Sequence, residues 1–255
     1  MLDLSIFDKF DFEFPAVAVK FHFTKPENVK QYEGQLSFCE FLKAAQNSDE
    51  PFYVTKENDN CMGKYVLGMV GRGEDLVSES GQKGFAFHVF DEARTGAKLY
   101  TQIHTIEKGL VNYVEFAKLG TQTFNPDVLI VMANIEQAEI IMRAKSYKNC
   151  ELWESVSSSV IGCAWIYSYP YLSGKVNLLT TGMHHGMKRR KTFPAGYSII
   201  SIPYNKLPEI AQNLAEMPWK PIGYLEDEEH QTQLKKDLQD IEKLMEDPAL
   251  KDMKK

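Results

Sequence analysis

Apolar and polar positions change period several times along the chain, and each change predicts an element. PAVAVKFHF, residues 15–23, alternates in steps of two and is rich in β-branched and aromatic side chains, so it reads as a strand starting after Pro15. SFCEFLKAAQ, residues 37–46, switches to the helical period. Ser37 and Glu40 stand at capping-box spacing, which makes Ser37 the N-cap and puts Cys39 in the first turn. NCMGKYVLGM, residues 60–69, reads as a short helix with Asn60 as cap and Cys61 at its first position, weakened by Gly63 and Gly68. Residues 71–109 are glycine-rich and less regular. LVNYVEFAKL, residues 110–119, returns to a strand pattern.

The clearest unit is PDVLIVMANIEQAEIIMRAKSYK, residues 126–148. The run Val128–Met132 predicts a buried strand that feeds a helix, with Ala138, Ile141, Met142 and the Lys145 stem on one face. SSSVIGCAWIYSYPYL, residues 157–172, predicts a buried helix stopped near Pro170. YSIISIPYNKLPEIAQNLAEM, residues 197–217, repeats strand then helix, with Pro208 near the helix start. Strands separated by helices predict one α/β domain over residues 1–221, with a mixed sheet and flanking helices. Residues 222–255 are highly charged and predict a helical extension, with Leu234, Leu238, Ile241 and Met245 in a stripe that Leu244 widens. Such a helix packs on the body, frays as a tail, or binds a partner; a homodimer through it stays open.

Composition narrows the function classes. Hydrophobic residues make up 44% of the 255 and charged residues 25%, ordinary for a soluble globular chain with a real core. A net charge of -6 removes the global electrostatic case for nucleic acid. Asp3, Asp8, Lys9, Asp11 and Glu13 interrupt the first residues where an export signal needs a continuous apolar run, and no stretch has the length of a membrane span. A cytoplasmic protein is the expectation. Four cysteines without a CxxC pair then read as reduced thiols rather than a disulfide framework.

Candidate chemistry concentrates at those thiols and at one basic stretch. Cys39 and Cys61, at predicted helix N-termini, stand where helix dipoles favour thiolate, the form a nucleophile or soft-metal ligand requires. With Cys163 they form a candidate set for an iron–sulfur cluster or another thiophilic metal, against the plain alternative of three packed thiols. Cys150 sits in a polar turn and looks incidental. His184 and His185 are adjacent, so their side chains diverge and make a poor metal pair, although His184 as one imidazole fits beside the cysteines. Gly182 and Gly186 with Lys188, Arg189, Arg190 and Lys191 offer amides and cations to a phosphate or carboxylate, or else form a solvated basic face. The spacing matches neither a P-loop nor GxGxxG. Ser157–Ser159 contain no nucleophile elbow.

PAVAVKF, SFCEFLKAAQ, CMGKYVLGM, PDVLIVMANIEQAEIIMRA, GCAWIYSYPYLSGKVNL and YSIISIPYNKLPEI together resemble the domain of unknown function family 169, found in anaerobic archaea and bacteria, over about residues 14–215. The resemblance implies a cysteine set at Cys39, Cys61 and Cys163, with a further Gly-Cys step and an arginine after YLSGKVN. This chain departs from that pattern: Met183 follows Gly182 where a cysteine is implied, while Arg189 or Arg190 keeps the arginine. Two functions follow as expectations. One is a redox-accessory protein of anaerobic metabolism that binds a metal or cofactor in a cysteine-lined pocket, closed by the 182–190 loop. The other is a non-enzymatic module binding a small anionic ligand through the basic loop 182–191. A thiol-dependent enzyme is a third, and it requires a depressed thiol pKa.

Overall fold

The alternating segment near the N-terminus becomes the middle of a sheet. In the computed structural model, which describes residues 1–71 and 82–244, it forms β1 (Phe14–His22), with Val17, Val19 and Phe21 on one face. Strand β2 (Lys30–Gln31) and helix α1 (Phe38–Gln46) follow, then β3 (Phe52–Val54), α2 (Gly63–Val66) and α3 (Ala93–Thr101). Strands β4 (Tyr113–Lys118) and β5 (Val128–Ala133) flank β1, both antiparallel to it, with Val19 opposite Phe116 and Val128. After α4 (Ile135–Ser146) a π-helical turn, Ala164–Ser168, runs into α5 (Tyr169–Ser173). β6 (Asn177–Thr180), α6 (His185–Arg190), β7 (Ser198–Pro203) and α7 (Leu207–Glu216) complete this part of the chain.

The strands make a seven-stranded sheet in the order β2-β3-β4-β1-β5-β7-β6. β2 pairs parallel with β3 and the other neighbours pair antiparallel, so the sheet is mixed and flanked by helices, an α/β domain as the periodicity predicts. One face carries Val17, Phe52, Phe116, Ile130 and Ile199, against which α1 buries Phe38, Phe41, Leu42 and Ala45. Leu129, Val131, Ile200 and Ile202 are buried on the other face, where α4 packs with Ala138, Ile141 and Ala144. The Asn213 amide of α7 donates to the Ala144 carbonyl at 2.7 Å and ties these two helices together.

Three local readings change. Cys61 precedes its helix rather than opening it: α2 starts at Gly63, and the loop before it is held by Asp59 instead of Asn60. The helix at 157–172 begins only after Ile161 and continues through Pro170 to Gly174; the π turn ahead of the proline re-registers the backbone around its missing donor. The irregular-looking 71–109 contains α3, with 72–81 outside the described residues.

The chain divides into two compact units, Met1–Ala215 and Glu216–Lys255. In the second, Asp227 starts α8 (Glu228–Leu244): its carboxylate accepts the His230 N–H at 3.1 Å and its carbonyl accepts the Gln231 N–H at 3.0 Å. Met245, the last apolar position of the predicted stripe, lies outside the described residues.

Candidate functional site

A short extended segment ahead of α1 brings two cysteines distant in sequence to one place. Leu36 bridges to Asp59 in parallel: its N–H donates to the Asn58 carbonyl at 2.9 Å, and its carbonyl accepts the Asn60 N–H at 3.1 Å. Ser37 then caps α1. Its N–H donates to Glu40 Oε2 at 2.9 Å and the Glu40 N–H donates back to Ser37 Oγ at 3.4 Å, the reciprocal capping box. Across from it, buried Asp59 accepts the Cys61 N–H at 3.1 Å and the Lys64 N–H at 2.8 Å, one on each carboxylate oxygen. Gly63 is required here, since a Cβ would stand 2.1 Å from the Phe38 ring. The third thiol comes from the π-helical segment. The buried Tyr167 hydroxyl donates to the Phe38 carbonyl at 2.8 Å, docking that segment beside Cys39.

Cys39, Cys61 and Cys163 all line one cavity of about 440 Å³. Phe38, Met62, Tyr100, Val160 and Met187 give it apolar walls, and Lys83, Arg189 and Arg190 bring cations to its boundary. Ile161, also in the lining, has φ +53°, a left-handed conformation unfavourable for a β-branched residue. Its neighbour Gly162 packs against α6, with the end of the Met187 side chain 2.5 Å from where a Cβ would stand.

Helix α6 supplies another wall. The His185 N–H donates to the Ser159 carbonyl at 2.8 Å. The His185 ring stacks on Phe87 with centroids 5.4 Å apart, and the Arg189 guanidinium lies 4.9 Å from the same Phe87 centroid. His185 Nε2 is buried without a hydrogen-bond partner. Arg190 Nη1 donates to Glu40 Oε2 at 2.9 Å, so its charge is balanced by the carboxylate that completes the α1 capping box. Burial alone would raise the Glu40 carboxyl, but hydrogen bonds from Ser37 and the Arg190 cation bring it below its ordinary value.

The predicted residues separate into two groups. Cys39, Cys61, Cys163, Arg189 and Arg190 converge on the cavity, whereas Gly182, Met183, His184 and Lys188 are outside its lining. Met183 is 61% exposed. His184 is buried as the residue before α6, with Nε2 2.9 Å from Ser157 Oγ and Nδ1 unpartnered, and burial lowers its pKa. The basic stretch is thus a helix, and its Arg189 and Arg190 line the cavity while Lys188 does not. Asp59, Lys83 and Phe87 join the site without a signal having pointed to them, and of the two adjacent histidines it is His185, not His184, that lines the cavity. The Asp-Asn-Cys spacing at 59–61 is an Asx-turn signal for the first of these.

The thiols are not in the activated state expected of helix N-termini. Burial pushes Cys39 up, with Cys61, Asp59 and Glu40 adding to the effect, and Arg190 only partly opposes it. Burial likewise raises Cys61, and raises Cys163 well above the ordinary thiol value. Desolvation outweighs the dipole because the sulfurs sit among apolar side chains and carboxylates. Among the described residues no group of three His, Cys, Asp or Glu side chains is arranged to hold a metal ion. No helix among the described residues is long and apolar enough to cross a membrane.

The model of the DUF169 family, described as uncharacterised ArCR, matches residues 5–213. No curated protein and no solved structure matches the chain.

Proposed function

The chain belongs to the DUF169 family, and from its own side chains we propose that it is a cytoplasmic binding protein for a small molecule with an apolar body and an anionic group. The observation that carries this reading is the cavity itself: about 440 Å³, lined by apolar side chains and thiols together with Lys83, Arg189 and Arg190. That volume falls within the roughly 300–1,000 Å³ of small-ligand sites, which combine apolar walls with a few placed polar groups. Arg190 is already balanced by Glu40, so Arg189 contributes the less committed guanidinium. His185 Nε2 supplies a buried polar atom whose hydrogen bond a ligand would complete. The raised thiol pKa values favour Cys39, Cys61 and Cys163 as neutral wall groups rather than nucleophiles. The test is thermal stability against a panel of aliphatic and aromatic carboxylates and phosphomonoesters. The midpoint rises with a subset of them in the native chain and not in Arg189→Ala/Arg190→Ala. Shifts that persist undiminished in that variant sink the reading.

A second reading keeps the thiols as ligands of a thiophilic metal or an iron–sulfur cluster in a redox-accessory protein of anaerobic metabolism. It is favoured by one observation: three cysteines from separate segments line a single cavity and affect one another's ionisation. It requires those thiols to deprotonate and to draw together, against the arrangement described above. Anaerobic iron and zinc determination on fresh protein decides it. Stoichiometric metal that falls in Cys39→Ala supports this second reading, and sub-stoichiometric metal indifferent to that change removes it.

A further inference from the structure

Helix α8 leaves a row of large apolar side chains in solvent. Leu238 is 52% exposed and Ile241 50% exposed, with half-buried Leu234 one turn before them on the same stripe. The spacing from 234 to 238 to 241 is four then three, the d-a-d step of a coiled-coil seam rather than scattered surface residues. We propose that this face pairs with the same face of a second copy of the chain, the two helices running antiparallel.

The charges beside the seam choose both the occupant and the direction. With Leu234 and Ile241 at d and Leu238 at a, Lys235 and Glu242 fall at successive e positions and Asp237 falls at g. In an antiparallel pair e faces e, so Lys235 meets Glu242 of the partner subunit, and the two-fold axis repeats that attraction at the other end. In a parallel pair g faces the following e. Asp237 would then meet Glu242 of the partner subunit, a like-charge contact. The face is therefore complementary to itself in one orientation and repelled in the other. Lys235 and Glu242 are both exposed and so placed to make this contact.

Sedimentation velocity of the full chain at increasing concentration tests the proposal, with circular dichroism to check that helix content is kept. The native chain shows a reversible monomer–dimer equilibrium, which Leu238→Lys abolishes. Lys235→Glu or Glu242→Lys alone replaces two attractions by two repulsions and weakens the dimer about tenfold. Combining Lys235→Glu with Glu242→Lys restores the attraction with its sign exchanged, and dimerisation recovers. A monomer at every concentration overturns the proposal and leaves the stripe to a different occupant. A dimer indifferent to Leu238→Lys overturns it too, as does a double variant no tighter than the singles.

Discussion

The two walls of the cavity are built in opposite ways. On the thiol wall the polar groups that fix the backbone are paired: the Ser37 N–H and hydroxyl with Glu40, and both oxygens of Asp59 with the Cys61 and Lys64 N–H groups. On the α6 wall, beyond the His185 N–H bond to Ser159 and the Arg190–Glu40 pair, the side chains meet through rings and stems. Phe87 is half in solvent, His185 and Arg189 rest on it, and His185 Nε2 has no partner. One wall is thus suited to positioning a ligand and the other to accommodating it. A hydrogen-bonded wall is preorganised and costs little further ordering on binding, while a stacked wall can re-pack around whatever enters.

Truncations on the two walls are expected to differ in cost. The largest effect is expected at Asp59→Ala, which strips the Cys61 and Lys64 N–H groups of their acceptor and costs about 3 kcal/mol in urea unfolding. Titration comes next, and it separates the two sides by the sign of their pH dependence. Below the ordinary thiol value of 9.0, folded and unfolded chains both hold the protons of Cys39, Cys61 and Cys163, and the stabilisation is full. As pH rises past 9.0 the unfolded chain releases protons that the folded chain keeps, so stability falls. His184, behind α6, runs the other way: its pKa is lowered by burial, so its contribution is present above 6.5 and is lost as pH falls below it. Unfolding midpoints across pH should therefore decline at both ends; a Cys163→Ala variant should flatten the alkaline limb and leave the acid limb alone. Ser37→Ala removes the cap of α1 and lowers stability by about 1 kcal/mol, read from the same unfolding curves. Phe87→Ala sits at the bottom of the scale, at under about 0.5 kcal/mol, because its ring is half exposed. A cost at Phe87 equal to that at Asp59 would dissolve the distinction between the walls.

Local signals were readable where they act over a few residues. The capping box at Ser37 and Glu40, the strand–helix unit from Val128 to Ser146 and the strand–helix pair around Pro208 form as their patterns predict. What failed to show in the pattern depends on distance. Helix α3 is amphipathic but short, with Gly96 inside it and a low overall hydrophobicity in a glycine-rich stretch, and it sends Tyr100 into the core. Pro170 marks a helix stop by local rules, yet the π turn ahead of it carries the helix on. At the site, His184 and His185 diverge as adjacency predicts, but it is His185 that faces the cavity while His184 turns inward to Ser157. Thiol chemistry was equally opaque, because desolvation by residues far along the chain decides it rather than the helix end.

The position of β1 has a consequence for how the chain reaches this structure. It lies in the middle of the sheet, yet both its neighbours, β4 and β5, come from residues 113–133. During synthesis the alternating segment 14–22 is made first and waits, with both backbone edges unpaired, until about a hundred further residues have emerged. Sheet formation is therefore governed by long-range closure, which makes it slow. The waiting segment is strand-prone and carries one charge, Lys20, between Phe14 and Phe21. Until β4 arrives, this is the stretch most exposed to pairing with another nascent chain, and the one a chaperone has most reason to cover.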